Sequence, residues 1–287
     1  MTRDTVLTYS AAGNTVAFAA DSPFWLTEIK GASGLDIAVS ETQSTGQIGS
    51  TVTSQSIQPR DITLNGAIMS DVEQNRAGLL RCIVPDVTGR LSVFQNGGAY
   101  FLDGCPKSTP EIQDGSVIQN FQFVLHCAYP YWRSTETNRQ QIAGLTALFH
   151  FPFRLANTWK ISDYTASLFS VVTNHGSAPI EFDAIFTART EVDSPELYHM
   201  ETGAFLRINQ VMTAGECITI STVYGRKGVR YTKADGTQEN GFRFLDVDSD
   251  LNLRLSPGEN TFRTAARSNR EGLQVEISAP KGVVFGV

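Results

Sequence analysis

Only one stretch of this 287-residue chain repeats its apolar residues at the helical period. In SDVEQNRAGLLRCIVPD, residues 70–86, Val72, Arg76, Leu79, Leu80 and Ile83 fall on one face of a helix. Ser70 and Glu73 have the spacing of a capping box, and Pro85 ends the run, so the periodicity predicts a short helix over about 71–83. Without further helices there are no crossovers to build a parallel sheet, and the rest of the chain must be antiparallel β-structure.

Period-two or β-branched runs fill the first half: TVAFAA, FWLTEI, LDIAVS, DITLNGAI, RLSVFQ, AYFLDG and VIQNFQFVLHC. Asn96-Gly97 suits the positive φ angles of a tight hairpin turn. Residues 41–56, ETQSTGQIGSTVTSQS, are polar and glycine-bearing, with strands entering from both sides, which predicts a long β-hairpin arm. After YPYWRSTETNRQQI a second series starts at ALFHFPF and continues through ASLFSVVTNHG, IEFDAIFTART, FLRINQVM, CITISTVYG, GVRYTK, GFRFLDV, LNLRL, NTFRTAAR and LQVEISA. Its turn signals have the spacing of an antiparallel sandwich or jelly roll. The expected architecture is mainly β. A sandwich-like N-terminal domain over 1–135 carries the helix and the arm, and a C-terminal β-sandwich domain follows over 136–287.

Charge narrows the function classes. The net charge of −6 is spread over both halves, with 8 basic and 12 acidic groups in residues 1–135 and 15 and 17 in residues 136–287. Neither half has the basic excess that grips a phosphate backbone, so DNA meeting this protein is expected to pass rather than bind. The start, MTRDTVLTYSAAGNTV, lacks the apolar run of a signal peptide, and no stretch approaches a membrane span. A soluble product made in a cytoplasm is expected. Cys82, Cys105, Cys127 and Cys217 form no C-x-x-C pair and read as buried thiols.

A search for catalytic constellations finds no G-x-S-x-G elbow, H-E-x-x-H motif, phosphate-cradling loop or paired carboxylates, and no enzyme or cofactor is expected. His126, His150, His175 and His199 are far apart in sequence. Asp246, Asp248 and Asp250 have the spacing that opens a calcium loop. Leu251 then stands where the turn needs glycine, and Pro257 where the closing glutamate belongs, so a solvated strand end is the stronger reading. Arg226, Lys227, Arg230 and Lys233 on YGRKGVRYTKADG read as the wet face of a sheet that ends in an Asp235-Gly236 turn. Trp159, Tyr198 and Tyr224, with Tyr231, are the aromatic candidates for glycan contact. In CAYPYWRST, Pro130 biases Tyr129 toward an extended conformation, and Tyr129, Tyr131, Trp132 and Arg133 read as a seam between the two domains.

The ordered motifs of the first half resemble the distal tail proteins of siphophages and of tail-like prophage elements. They are FWLTEIKG (Phe24 to Gly31), GLDI (Gly34 to Ile37), GQIG (Gly46 to Gly49), RDITLNG (Arg60 to Gly66), the Leu79-Leu80 pair, and the close at YPYWR (Tyr129 to Arg133). Downstream, FPF, VTNHGSAPIEF and LSPGENTF are similar to that family's second domain, a galectin-like sandwich. The resemblance implies a non-enzymatic hub at the distal end of a virion tail. It implies a homo-hexameric ring built by the first domains, which joins the tail tube to the tail-associated tip protein, with the second domains outward as a platform for a receptor-binding protein or host saccharide. DNA passes through the lumen. Gly46, Gln47, Ile48, Gly49 and Arg60 are then the candidate ring and arm contacts. A lectin-like module that contacts a cell-wall saccharide is the alternative function.

Overall fold

In the computed structural model, residues 6–95, 97–113, 115, 117–147, 162–165 and 169–286 are described, with the backbone only for 144–147 and 162–165. Contacts divide the chain into two compact units. One comprises the chain up to Thr135 together with the segment from Val283, and the other runs Glu136–Gly282. The last few residues, expected with the second domain, therefore belong to the first.

The first unit contains β1 (Val6–Ala11), β2 (Asn14–Phe18), β3 (Phe24–Lys30), β4 (Ile37–Thr42), β5 (Thr51–Ile57), β6 (Arg60–Ile68), α1 (Val72–Cys82), β7 (Gly89–Gln95), β8 (Gly98–Pro106), β9 (Glu111–Ile112), β10 (Gln119–Cys127) and β11 (Trp132–Ser134). In β6 and β10 alternate residues are buried, the signature of a sheet with one face on a core. The ladder runs β8–β7–β1–β2–β3–β6–β10, and a short β8–β10 pairing at Leu125↔Pro106 and His126↔Cys105 closes it on itself. Inside, Phe18, Phe24, Phe121 and Phe123 pack edge to face, tilted or, for Phe121 and Phe123, stacked, with centroids 5.9–6.3 Å apart, joined by Tyr9. Gly66 is required where it stands, because a Cβ there would lie 2.5 Å from both the Phe121 ring and the Trp25 carbonyl. The two-residue turn between β7 and β8 has Gly97 at φ 75°, as the dipeptide predicts, while Asn96 lies outside the described residues.

The helix forms over Val72–Cys82 and buries Leu79 and Cys82, with Ile83 following at 2% exposure. Leu80, expected on the same face, is exposed, since the stripe that meets the sheet is too narrow for two adjacent leucines 100° apart. The expected capping box does not form. Asp71 takes a left-handed conformation with no side-chain cap, and Asn75 Nδ2 donates to the Ser70 carbonyl at 2.6 Å instead.

The second unit contains β12 (Thr137–Ala147), β13 (Ser162–Thr165), β14 (Phe169–Asn174), β15 (Asp183–Ala188), β16 (Val192–Asp193), β17 (Glu196–His199), β18 (Phe205–Arg207), β19 (Val211–Met212), β20 (Cys217–Ser221), β21 (Gly228–Thr232), β22 (Gln238–Asn240), β23 (Gly258–Ala265) and β24 (Leu273–Pro280). β25 (Val283–Val284) returns to the first unit and pairs with β11. A seven-stranded sheet, β13-β12-β24-β15-β20-β21-β22, and a four-stranded sheet, β14-β23-β17-β18, form the antiparallel sandwich. β15, β23 and β24 alternate buried with half-buried residues, and Phe182 meets Phe262 at 5.8 Å in the core.

Two expected strands are absent. GFRFLDV forms a 3-10 turn at Phe242–Phe244, because Asn240 Oδ1 accepts the Phe242 N–H and diverts the backbone. LNLRL is likewise turned by Asp250 Oδ1, which accepts the Asn252 N–H, and only Leu255 bridges, to Ile180. The first strand of the second series, ALFHFPF, falls mostly outside the described residues, as do Trp159 and His150.

Candidate interaction surfaces

The arm is a two-stranded ribbon. β4 and β5 pair with each other, and every residue in both is exposed. Residues opposite one another on a ladder point to the same face. Ile37 and Ile57, then Val39, and beyond a bulge Val52 opposite Glu41 therefore line one side, all between 43% and 55% exposed. The other side carries Ala38, Ser40, Ser54 and Ser56. Gly46 and Gly49, with φ of 82° and 80°, turn the tip, a conformation that costs glycine little. Gln47 holds the tip from within. Its Oε1 accepts the Ser44 N–H at 3.1 Å, its Nε2 donates to Thr51 Oγ1 at 3.0 Å, and its carbonyl accepts Gln43 Nε2 at 3.1 Å. Ile48, between the two glycines, is 101% exposed.

Arg60, grouped with the arm by the sequence reading, is an internal tie rather than a surface contact. It is 4% exposed and donates from Nη1 to the Ala32 carbonyl at 2.9 Å and from Nη2 to the Phe285 carbonyl at 2.5 Å. These two bonds offset much of the cost of burying a guanidinium, while its Nε finds no hydrogen-bond partner among the described residues. The same region holds the aromatic stretch. Trp132, at 1% exposure, packs in the core of the first unit and donates Nε1–H to Ala32, while its backbone pairs with Val284. Tyr129 meets Tyr131 edge to face at 5.5 Å, and Tyr131 meets Phe285 at 5.9 Å. Arg133 and Arg90 cover the Phe101 ring at 4.6 and 4.0 Å, and both bind Asp103. Pro130 lies in the turn that separates β10 from β11.

On the outer face of the first unit, Asp61, opposite His126 in the ladder, accepts from His126 Nδ1 at 2.7 Å and Lys107 Nζ at 2.6 Å. The hydrogen bond from Lys107, then that from His126, holds its carboxyl below the usual range. Among the cysteines, Cys82 and Cys127 are buried and Cys105 and Cys217 half-buried. Burial raises the Cys82 thiol and pushes that of Cys127 up to about 12.

In the second unit the acidic run does not converge on one point. Asp246 Oδ1 accepts the Asp248 N–H and its Oδ2 accepts Asn209 Nδ2 at 2.8 Å, while Asp250 closes its own turn. No group of three or more potential metal ligands occurs among the described residues. Three of the four basic residues of the hairpin have partners: Arg226 binds Asp183, Lys227 binds Asn252, and Lys233 meets Glu239 at 3.7 Å, while Arg230 is exposed. Tyr198 is half-buried on β17 with the Arg263 guanidinium 5.3 Å from its ring centre. Tyr224 is half-exposed in the loop after β20, and Tyr231 is buried with its hydroxyl donating to Glu216. No shared aromatic platform brings these tyrosines together.

The sequence did not reveal a cavity of about 810 Å³ lined by Asp193, Ser194, Glu196, Arg207, Asn209, Gln210, Val211, Asp246, Ala265, Ala266 and Arg267. Arg207 lies opposite Glu196 in the β17–β18 ladder and bonds it at 2.7 Å, with Asp246 at 3.6 Å. The Glu196 bond is the main reason the Arg207 guanidinium is raised above its ordinary value. Asp246 is held low, chiefly by the Asp248 N–H and then by Asn209. Arg267 stands 3.7 Å from Asp193. The signal lay in EVDSP, which reads as punctuation between strands, and in RINQ, which reads as part of the strand run FLRINQVM.

The second unit is thus an antiparallel sandwich joined to a closed β-ladder that bears an exposed ribbon, and no helix among the described residues is long and apolar enough to cross a membrane. Residues 175–278 match the family model of the siphovirus-type tail component, C-terminal domain. No curated protein sequence matches the chain. Among solved structures, the chain is similar to the SPP1 Dit (gp 19.1) protein, described as a paradigm of the hub adsorption apparatus in phages that infect Gram-positive hosts. The TM-score is 0.66 and the identity 13%, over 95% of this chain and 98% of that one. It is also similar to a chain of the phage P2 baseplate in its activated conformation with Ca, at a TM-score of 0.51 and 10% identity over 99% of both chains. The strontium form of the phage p2 baseplate gives 0.50 and 10%, over 96% of this chain and 97% of that one. The distal-tail resemblance read from the sequence is therefore met by the family match in the second unit and by the fold along nearly the whole length.

Proposed function

We propose that this protein is a structural hub of a phage-type tail tip, without catalytic activity. In this reading the first units of six copies form a ring that joins a tail tube protein to a tail-associated tip protein, and the second units face outward as a platform. The observation that carries it is the β4–β5 ribbon. A two-stranded hairpin standing alone is marginal in water, and four exposed aliphatic side chains on one face need a covering surface. A neighbouring copy provides that surface, and repeating the same head-to-tail contact closes a ring when the rotation permits. The net charge of −6 suits a lumen through which DNA slides without being held. The family match at residues 175–278 and the hub and baseplate folds support the same assignment.

Mass photometry of the purified chain, alone and with a tail tube or tail-associated protein, tests the proposal. Closed rings of six are expected. A chain that stays monomeric at high concentration and forms no ring with either partner would sink it.

A further inference from the structure

We propose that the cavity between β16, β17, β18 and the Asp246 loop binds a neutral saccharide segment. Its volume of about 810 Å³ lies within the roughly 300–1,000 Å³ of small-molecule sites. Its charges are already matched in place: Arg207 with Glu196 and Asp246, and Arg267 with Asp193. Three carboxylates against two guanidiniums leave no surplus positive charge for an anion. The acidic groups do not form a set that could hold a metal ion.

What remains is hydrogen-bonding capacity on planar groups. Glu196 Oε2 is taken by Arg207, while Oε1, the Gln210 amide and Asn209 Oδ1 bond nothing else among the described residues. Carboxylate and amide groups accept and donate in pairs, which suits neighbouring hydroxyls on a ring. Val211, Ala265 and Ala266 supply a small apolar strip for the C–H face of a sugar, too little to anchor an apolar peptide side chain.

The walls are fixed in advance. Ser194 N–H donates to Gln210 at 3.1 Å, Arg267 N–H to Asp193 at 2.8 Å, Asp246 N–H to Arg207 at 3.0 Å and Asn209 N–H to Phe244 at 2.7 Å. A ligand therefore has little protein motion to freeze out on binding. No aromatic side chain lines the cavity, so no ring stacks on the sugar and the affinity is weak, with Kd about 1 mM for a short oligosaccharide. The site stands apart from Tyr198 and Tyr224, neither of which lines it, and it does not depend on the hub reading.

The test is ligand-observed NMR on the full chain with neutral di- to tetrasaccharides of glucose, galactose and N-acetylglucosamine, a sulfated counterpart, and spermidine. At least one neutral sugar should bind saturably and the sulfated form more weakly. Gln210→Ala and Asn209→Ala should each weaken binding about 3- to 10-fold, the loss of one neutral hydrogen bond, with Tm unchanged. If Asn209→Ala lowers Tm through its bond to Asp246, Gln210→Ala decides alone. Three results would overturn the proposal: no saturable binding of any neutral sugar, binding unchanged in Gln210→Ala, or a preference for spermidine. Ring formation, read separately by mass photometry, is untouched by any of them.

Discussion

Trp132 and Arg60 share one acceptor: the indole Nε1–H and the guanidinium Nη1–H both reach the Ala32 carbonyl at 2.9 Å. One carbonyl oxygen with two lone pairs thus fastens the loop after β3 to β11 and β6, and through Phe285 to the chain's final strand. Trp132→Ala removes the largest fully buried side chain of the first unit and should cost about 3–5 kcal/mol in denaturant unfolding of that unit. Trp132→Phe keeps most of the volume and leaves Arg60 on Ala32, so a smaller loss of about 1 kcal/mol beyond the volume change is expected.

Arg60→Ala strips a donor from two carbonyls at once and opens a buried space, and it should destabilise the first unit by about 2–4 kcal/mol. Hydrogen exchange checks the route of the loss. Trp132, Arg133 and Val284 amides should lose protection first, because the variant frees the segment that Phe285 anchors.

The arm separates stability from assembly. Ile48→Asp changes a side chain in full contact with solvent and should move the unfolding free energy by no more than about 0.5 kcal/mol. The double substitution Ile37→Ser and Val39→Ser should leave the melting curve of the isolated chain equally unmoved while lowering the population of rings in mass photometry. Rings of unchanged abundance would show that the aliphatic side of the ribbon is not the covered one.

Thiol chemistry should follow burial. In the native protein Cys105 and Cys217 should react with a maleimide first, and Cys82 and Cys127 only on unfolding, since their thiols are raised and enclosed. Mass spectrometry of partially labelled protein reads the order directly.

The Asp61 cluster predicts an acid-limb effect. Its carboxyl is depressed in the folded state, so its contribution is complete above the ordinary carboxylate range and lost as pH falls through the lower folded value. Partial exposure limits the size to under about 1 kcal/mol. Asp61→Asn should therefore narrow the stability gap between pH 6 and pH 3, as read by thermal melts at both.

The legible parts of the fold were those set by near neighbours. QNFQFVLHC alternates buried and outward residues as a strand must, and the run of residues 72–83 could only be a helix. Local side chains overrode the pattern elsewhere. Asn240 turned GFRFLDV, Asp250 turned LNLRL, and Asn75 took the place of the capping box. What could not be read was assembled from afar. Val284 lies some 150 positions from its partner Trp132, Arg60 runs against the rule that charges face water, and the cavity draws its walls from segments between Asp193 and Arg267. The arm was visible because its composition suits no core, yet the inward clamp by Gln47 was not, since an isolated glutamine carries no directional signal.

The return of β25 to the first unit means that the peptide backbone crosses between the units twice, after Thr135 and after Gly282. Both crossings meet at a single short ladder step, where Lys281 N–H donates to the Glu136 carbonyl at 2.8 Å and their side chains pair. The second unit is therefore an insertion within the chain of the first, with its own two ends side by side. Because its two ends lie side by side, residues 136–282 can be exchanged or shortened at two neighbouring points of the chain while the closed ladder keeps its own β25.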